Sequence, residues 1–121
     1  MSGPNIVNVS QINANTNLVN VTTVLANVVS NPSNSDRVYK INNIQLSNYG
    51  VTTISANVIF NRSSSSPANY FIAGSISIPA TSTLVVVAKD TSFYMEEGDV
   101  LQINASANST VHGIVSYEII S

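Results

Sequence analysis

Over most of this chain hydrophobic residues recur at every second position, the spacing that turns one face of an extended strand toward a core and the other toward water. Ile54, Ala56, Val58 and Phe60 alternate with Thr53, Ser55, Asn57 and Asn61, which predicts a half-buried strand. Tyr70, Ile72, Gly74, Ile76 and Ile78 alternate with Phe71, Ala73, Ser75 and Ser77, and Pro79 ends that run because it has no N–H to give to a ladder. Between the two lies Arg62 to Pro67, with four consecutive serines and nothing to bury, an exposed loop. Leu84 to Ala88, with three successive valines, reads as a strand apolar on both faces. Leu101, Ile103, Ala105 and Ala107 alternate with Gln102, Asn104 and Ser106. The closing stretch sets Val111, Gly113, Val115, Tyr117 and Ile119 toward a core, opposite His112, Ile114, Ser116, Glu118 and Ile120.

Two segments break the rule. In residues 37–48 the apolar parity changes, with Tyr39 and Ile41 on one side and Ile44 and Leu46 on the other. A β-bulge at Asn42-Asn43 would restore one apolar face, and two short strands are the alternative. In residues 5–30 asparagines are interspersed with Ile6, Val7, Val9, Ile12, Leu18, Val19, Val21, Val24 and Leu25 without steady parity. A strand is predicted within Leu18 to Val29, followed by a turn-rich stretch from Ser30 to Ser35. The reading that results is an N-terminal arm over residues 1–17 and a β-sandwich domain over 18–121. No window has a helical period with caps, and no long repeat is visible. Short strands at roughly ten-residue spacing predict an all-β chain, an antiparallel two-sheet β-sandwich that is jelly-roll-like.

Composition agrees and narrows the function. Of 121 residues, 16 are Val and 13 Ile against 5 Leu, a β-branched bias that favours strands. Asn, Ser and Thr number 17, 19 and 9, whereas only 8% of residues are charged, so the polar surface is mostly uncharged. Duplex DNA is bound through Lys and Arg on phosphates, and four cations at net charge −2 cannot form a basic stripe. The longest strictly aliphatic run, Leu84 to Ala88, falls far short of the roughly 20 residues that span a bilayer. The opening Met1-Ser2-Gly3-Pro4-Asn5 lacks the cationic stretch and apolar core of a secretory signal, so synthesis in a cytosol is expected. With no cysteine, stability must come from packed apolar faces rather than disulfides or thiolate–metal clusters.

Candidate chemistry is sparse. Glu96-Glu97-Gly98-Asp99 is the densest carboxylate cluster. A calcium site needs six or more oxygens converging from several segments, and Gly98 sits where a corner needs positive φ, so Gly98 and Asp99 are read as a structural turn. Adjacent carboxylates on a strand point to opposite faces, which argues against Glu96 and Glu97 flanking a glycosidic bond. His112 is the chain's one histidine and lies on a wet parity, with no nucleophile elbow in the sequence. Five Asn-Xaa-Ser/Thr triplets, at Asn8, Asn20, Asn61, Asn104 and Asn108, are what this composition produces by chance. Tyr39, Tyr70 and Tyr117 fall on core parities, leaving Tyr49 and Tyr94 for exposed contacts such as sugar stacking. No catalytic residue, cofactor or metal is therefore expected. Interfaces are depleted in Lys, Glu and Asp, so the neutral surface itself points to association. Ile6, Val7, Val9, Ile12 and Tyr49 are the interface candidates.

A resemblance gives this reading a setting. The run Arg37-Val38-Tyr39-Lys40-Ile41-Asn42-Asn43-Ile44-Gln45-Leu46-Ser47-Asn48 resembles one in small virion structural proteins of tailed bacteriophages, cyanophages included. It is followed in order by Tyr70-Phe71-Ile72-Ala73, by Ile76 to Leu84, by Met95-Glu96-Glu97-Gly98-Asp99-Val100-Leu101 and by Val115 to Ile119, covering about residues 36–120. The resemblance implies a capsid decoration or cement protein, or failing that a tail, neck or baseplate component, assembled in the host cytoplasm with partners such as the major capsid protein. The Gly98-Asp99 turn before an apolar strand is also similar to trimeric jelly rolls of the complement and tumour-necrosis type, an analogy that implies a homotrimer. The alternative is a glycan-binding module using Tyr49 and the loop from Ser63 to Ser66.

Overall fold

A computed structural model describes residues 11–62 and 68–121, apart from the Lys89 side chain. The described residues form nine strands: β1 (Ile12–Val21), β2 (Ala26–Ser30), β3 (Val38–Asn48), β4 (Ile54–Arg62), β5 (Asn69–Ile78), β6 (Ser82–Val87), β7 (Phe93–Met95), β8 (Asp99–Ala105) and β9 (Val111–Ile120). One sheet, A, runs β1-β9-β3-β6 with β7 also on β3, and the other, B, runs β2-β8-β4-β5, every pairing antiparallel. The partnerships β1–β9, β2–β8, β3–β6 and β4–β5 nest first with last and inward, a long hairpin rolled into two sheets. That is the jelly-roll winding.

The core between the sheets is the alternating apolar set. Ile41, Ile44, Leu46, Val111 and Val115 of sheet A are fully covered, as are Val58, Ile78 and Leu101 of sheet B. Each buried aliphatic side chain contributes about 1.5–3 kcal/mol relative to exposure. Tyr39 and Tyr117, both buried, stack at 5.6 Å between centroids. The β3–β9 ladder shifts register between Ile41 and Asn43, so the parity break in residues 37–48 is one bulged strand rather than two strands.

Several expectations change. Ile12 to Asn17, assigned to the arm, belong to β1 and pair with Ile120 to Val115 of β9. The backbone of an Asn-rich stretch is satisfied by a ladder as well as by water, and an edge strand needs only one inward face. Residues 1–10 of the expected arm lie outside the described residues. The segment Leu18 to Val29, within which a strand was expected, holds the end of β1 and most of β2, because the chain leaves sheet A at Val21 and enters sheet B at Ala26. This change of sheet is what made its parity wander. In β5, Ile76 pairs with Ala56 but Ala73 with Val58, and a second shift follows before Phe71 meets Ile59. The extra residues bury Ala73, predicted wet, and Tyr70, predicted core, is 48% exposed at the sandwich end.

Candidate functional site

At one end of the sandwich the turn before β8 is built as a polar clasp. Gly98 has φ of 86°, and its N–H donates to Asn31 O at 2.8 Å while Asn31 N–H donates to Asp99 O at 3.0 Å. The buried Asn31 Nδ2 donates to Arg37 O and Met95 O, and Ser35 Oγ donates to Asn31 Oδ1. Asp99 is 0% exposed. Its carboxylate accepts Arg62 Nε at 3.0 Å, Arg62 Nη2 at 2.8 Å and the Glu96 N–H at 2.8 Å. The Asp99 hydrogen bond is the main cause that raises the Arg62 pKa; burial opposes it, and the charges of Asp99 and Glu96 add to it.

The predicted turn is therefore observed at Gly98, but Asp99 does more than follow it. Its fork to Arg62 ties β8 to β4 across Arg62↔Asp99. The neighbouring carboxylates diverge: Glu96 reaches Arg62 at 3.3 Å and Glu97 accepts the Asp36 N–H at 2.6 Å. Among the described residues no three His, Cys, Asp or Glu side chains gather as metal ligands. With all its hydrogen bonds made internally and no solvent contact, the Asp99 carboxylate has no open position for acid–base work.

Beside the clasp, the seam between β5 and β7 opens into a groove of about 480 Å³ lined by Phe60, Arg62, Tyr70, Ile72, Phe93 and Tyr94. The rings of Phe60 and Phe93 pack tilted by 53° with centroids 5.5 Å apart, and the Arg62 guanidinium lies 5.3 Å from the Phe60 ring centroid. Sequence reasoning missed this groove because β7 has only three residues, too few for a period.

The third feature is the outer face of sheet A. Ile12 is 57% and Leu18 76% exposed, and Leu18 pairs with Ile114. A depression of about 340 Å³ is bounded by Leu18, Val19, Asn20, His112, Gly113 and Ile114. Tyr49 is half-exposed and its ring packs on His112 at 4.3 Å. The structure thus brings Tyr49 to the β9 side of this face and Ile12 to its β1 edge; Ile6, Val7 and Val9, and the loop from Ser63 to Ser66, lie outside the described residues.

No protein-family model matches the chain, and no curated protein matches it. Among solved structures it is similar to one from a study reporting that Bacillus endospore appendages form a novel family of disulfide-linked pili, with a TM-score of 0.51 and 12% identity over 99% of this chain and 95% of that one. At that identity the likeness is one of fold.

Proposed function

We propose that this chain is a non-catalytic structural subunit that works by covering, and being covered by, protein neighbours, and that its setting is the virion shell of a tailed phage, where it decorates or cements the capsid. The observation that carries the assembly reading is the outer face of sheet A, where Leu18 is exposed beside Ile114 and Ile12 is exposed at the start of β1, with few charges to keep them in water. The virion setting is supported by the motif resemblance over residues 36–120. A ligand that binds only the assembled shell stabilises it by mass action, so no chemistry is required of the subunit. Having no cysteine, it would hold its neighbours by burial and hydrogen bonds alone.

The test is co-sedimentation with shells of the phage that encodes the chain. Binding to assembled shells but not to free capsid subunits, with a raised temperature of shell disruption, is expected. A chain that stays in the supernatant with every particle component overturns the setting.

A second reading, glycan binding, is favoured by the aromatic groove rather than by Tyr49. Tyr70 and Tyr94 are exposed at its rim, where the apolar face of a sugar ring can stack. Titration with a glycan array decides it: a signal lost in Tyr94→Ala supports this reading, and an empty array removes it.

A further inference from the structure

We propose that β1 is a docking edge for a second copy of this chain, the two β1 strands pairing antiparallel about a twofold axis at Asn15. The inference deepens the assembly reading and rests on it for its biological use. Among the described residues β1 is the free edge of sheet A, bonded to β9 alone within its sheet. Its ten residues, INANTNLVNV, contain no charge, proline or glycine, and its ladder with β9 has no register shift. Those are the devices by which exposed edges are ordinarily protected from strand addition. The other sheet ends have them or are short: β6, at the far side of sheet A, is six residues with a register shift against β3, β5 carries two register irregularities and a positive φ at Ser75, β2 is five residues with a shift, and β7 is three residues.

The hydrogen-bond phase of this edge can be read from its start. Gln11 N–H donates to Ser121 O and Ser121 N–H donates to Gln11 O, so Gln11 points both backbone groups at the β9 end. In the unshifted ladder that follows, the odd residues of β1 do the same, and Ile12, Ala14, Thr16, Leu18 and Asn20 turn theirs to the open side. The same even residues lie on the outer face, where Ile12 and Leu18 are exposed.

An antiparallel partner must set even residues opposite even residues, which leaves few registers. Centring the pair on Asn15 puts Ile12 opposite Leu18 of the partner subunit, and Leu18 opposite Ile12 of the partner subunit, so both large exposed side chains of β1 gain an apolar neighbour. Ala14 then meets Thr16 of the partner subunit. Centring on Thr16 sets Ile12 against Asn20 of the partner subunit and wastes the match. Ile114, beside Leu18, extends the apolar stripe inward on each side. No charged residue on β1 opposes the contact. An isologous strand pair closes with two copies, so this edge supports a dimer where the turn analogy implied a trimer.

The lack of cysteine in these 121 residues makes the register directly testable without removing any native thiol. Asn15 would face Asn15 of the partner subunit as a non-hydrogen-bonded pair, whose Cα atoms lie about 4.5 Å apart, within disulfide reach. Thr16 would be offset from Thr16 of the partner subunit by a diagonal of roughly 7–8 Å. Under mild oxidation N15C is expected to give covalent dimer at least about tenfold faster than T16C. Light scattering is expected to show a dimer for the wild type and a monomer of unchanged melting temperature for Thr16→Pro, since the lost N–H has no partner among the described residues. A chain beginning at Gln11 should remain dimeric. A wild type that is monomeric at high micromolar concentration, equal cross-linking of N15C and T16C, or loss of the dimer on removing residues 1–10 would each overturn the proposal. A monomer that still sediments with shells would overturn it while leaving the assembly reading in place.

Discussion

Asp99 is the residue on which most of the clasp depends. Its buried carboxylate is matched by the Arg62 fork, and removing one partner of such a pair leaves a charge in the interior. Arg62→Leu is expected to lower unfolding stability by roughly 3 kcal/mol, the lower end for a broken buried pair because Arg62 is itself partly solvated; denaturant titration measures this. Arg62 has a raised pKa, so its contribution is present at all lower pH and fades only as pH climbs through that raised value. Alkaline titration short of arginine deprotonation should therefore show no stability loss from the Arg62 side of this pair. Asn48 is a second such residue: it is buried, donates to Thr52 O and Ile78 O and accepts the Gly50 N–H. Asn48→Ala should cost roughly 2–3 kcal/mol, since it strands backbone groups that water does not reach. Gly98 and Asp99 were legible as a turn because carboxylates around a glycine are a local signal. The partner Arg62 was not, being 37 residues away.

Among the elements, β3 and β9 were readable almost residue by residue. The parity break at Asn42-Asn43 was visible because apolar residues flank it on both sides, which left a bulge or two short strands, and the β3–β9 ladder with its shift between Ile41 and Asn43 decides for the bulge. β5 defeated the same logic because its alternation in sequence is regular, and only the pairing with β4 shows residues inserted at the ladder. β9 also carries the tightest fit. A Cβ on Gly113 would lie 2.8 Å from Val19 Cγ1 of β1, and a valine methyl has little room to swing aside. Gly113→Ala is expected to cost about 1–3 kcal/mol through overpacking and to loosen β1 from β9. Hydrogen exchange of the β1 amides that face β9 measures the loosening, and faster exchange confined to β1 and β9 is the expected result.

For the molecule as a whole, the scarcity of ions has a measurable consequence. With 8% charged residues and net charge −2, the proposed association through the outer face of sheet A would have little Coulomb energy to screen. Its dissociation constant is expected to stay within about a factor of two between low and high salt, where a charge-driven contact would weaken by orders of magnitude. Analytical ultracentrifugation across a salt series measures this, and a steep salt dependence would place the contact at the few ionic residues instead.

The sequence alone determined that this chain is all-β, that its core is the alternating Val and Ile set and that Gly98 opens a turn. Each of these follows from interactions between residues close in the chain or from a period a strand imposes on itself. Only the tertiary structure decided which strands lie at the edges, that residues 12–17 are in the sheet, that Arg62 meets Asp99, and that Tyr70, Phe93 and Tyr94 line one groove. Those facts depend on how the rolled hairpin brings distant segments side by side, and a two-residue period carries no information about which neighbour a strand will find.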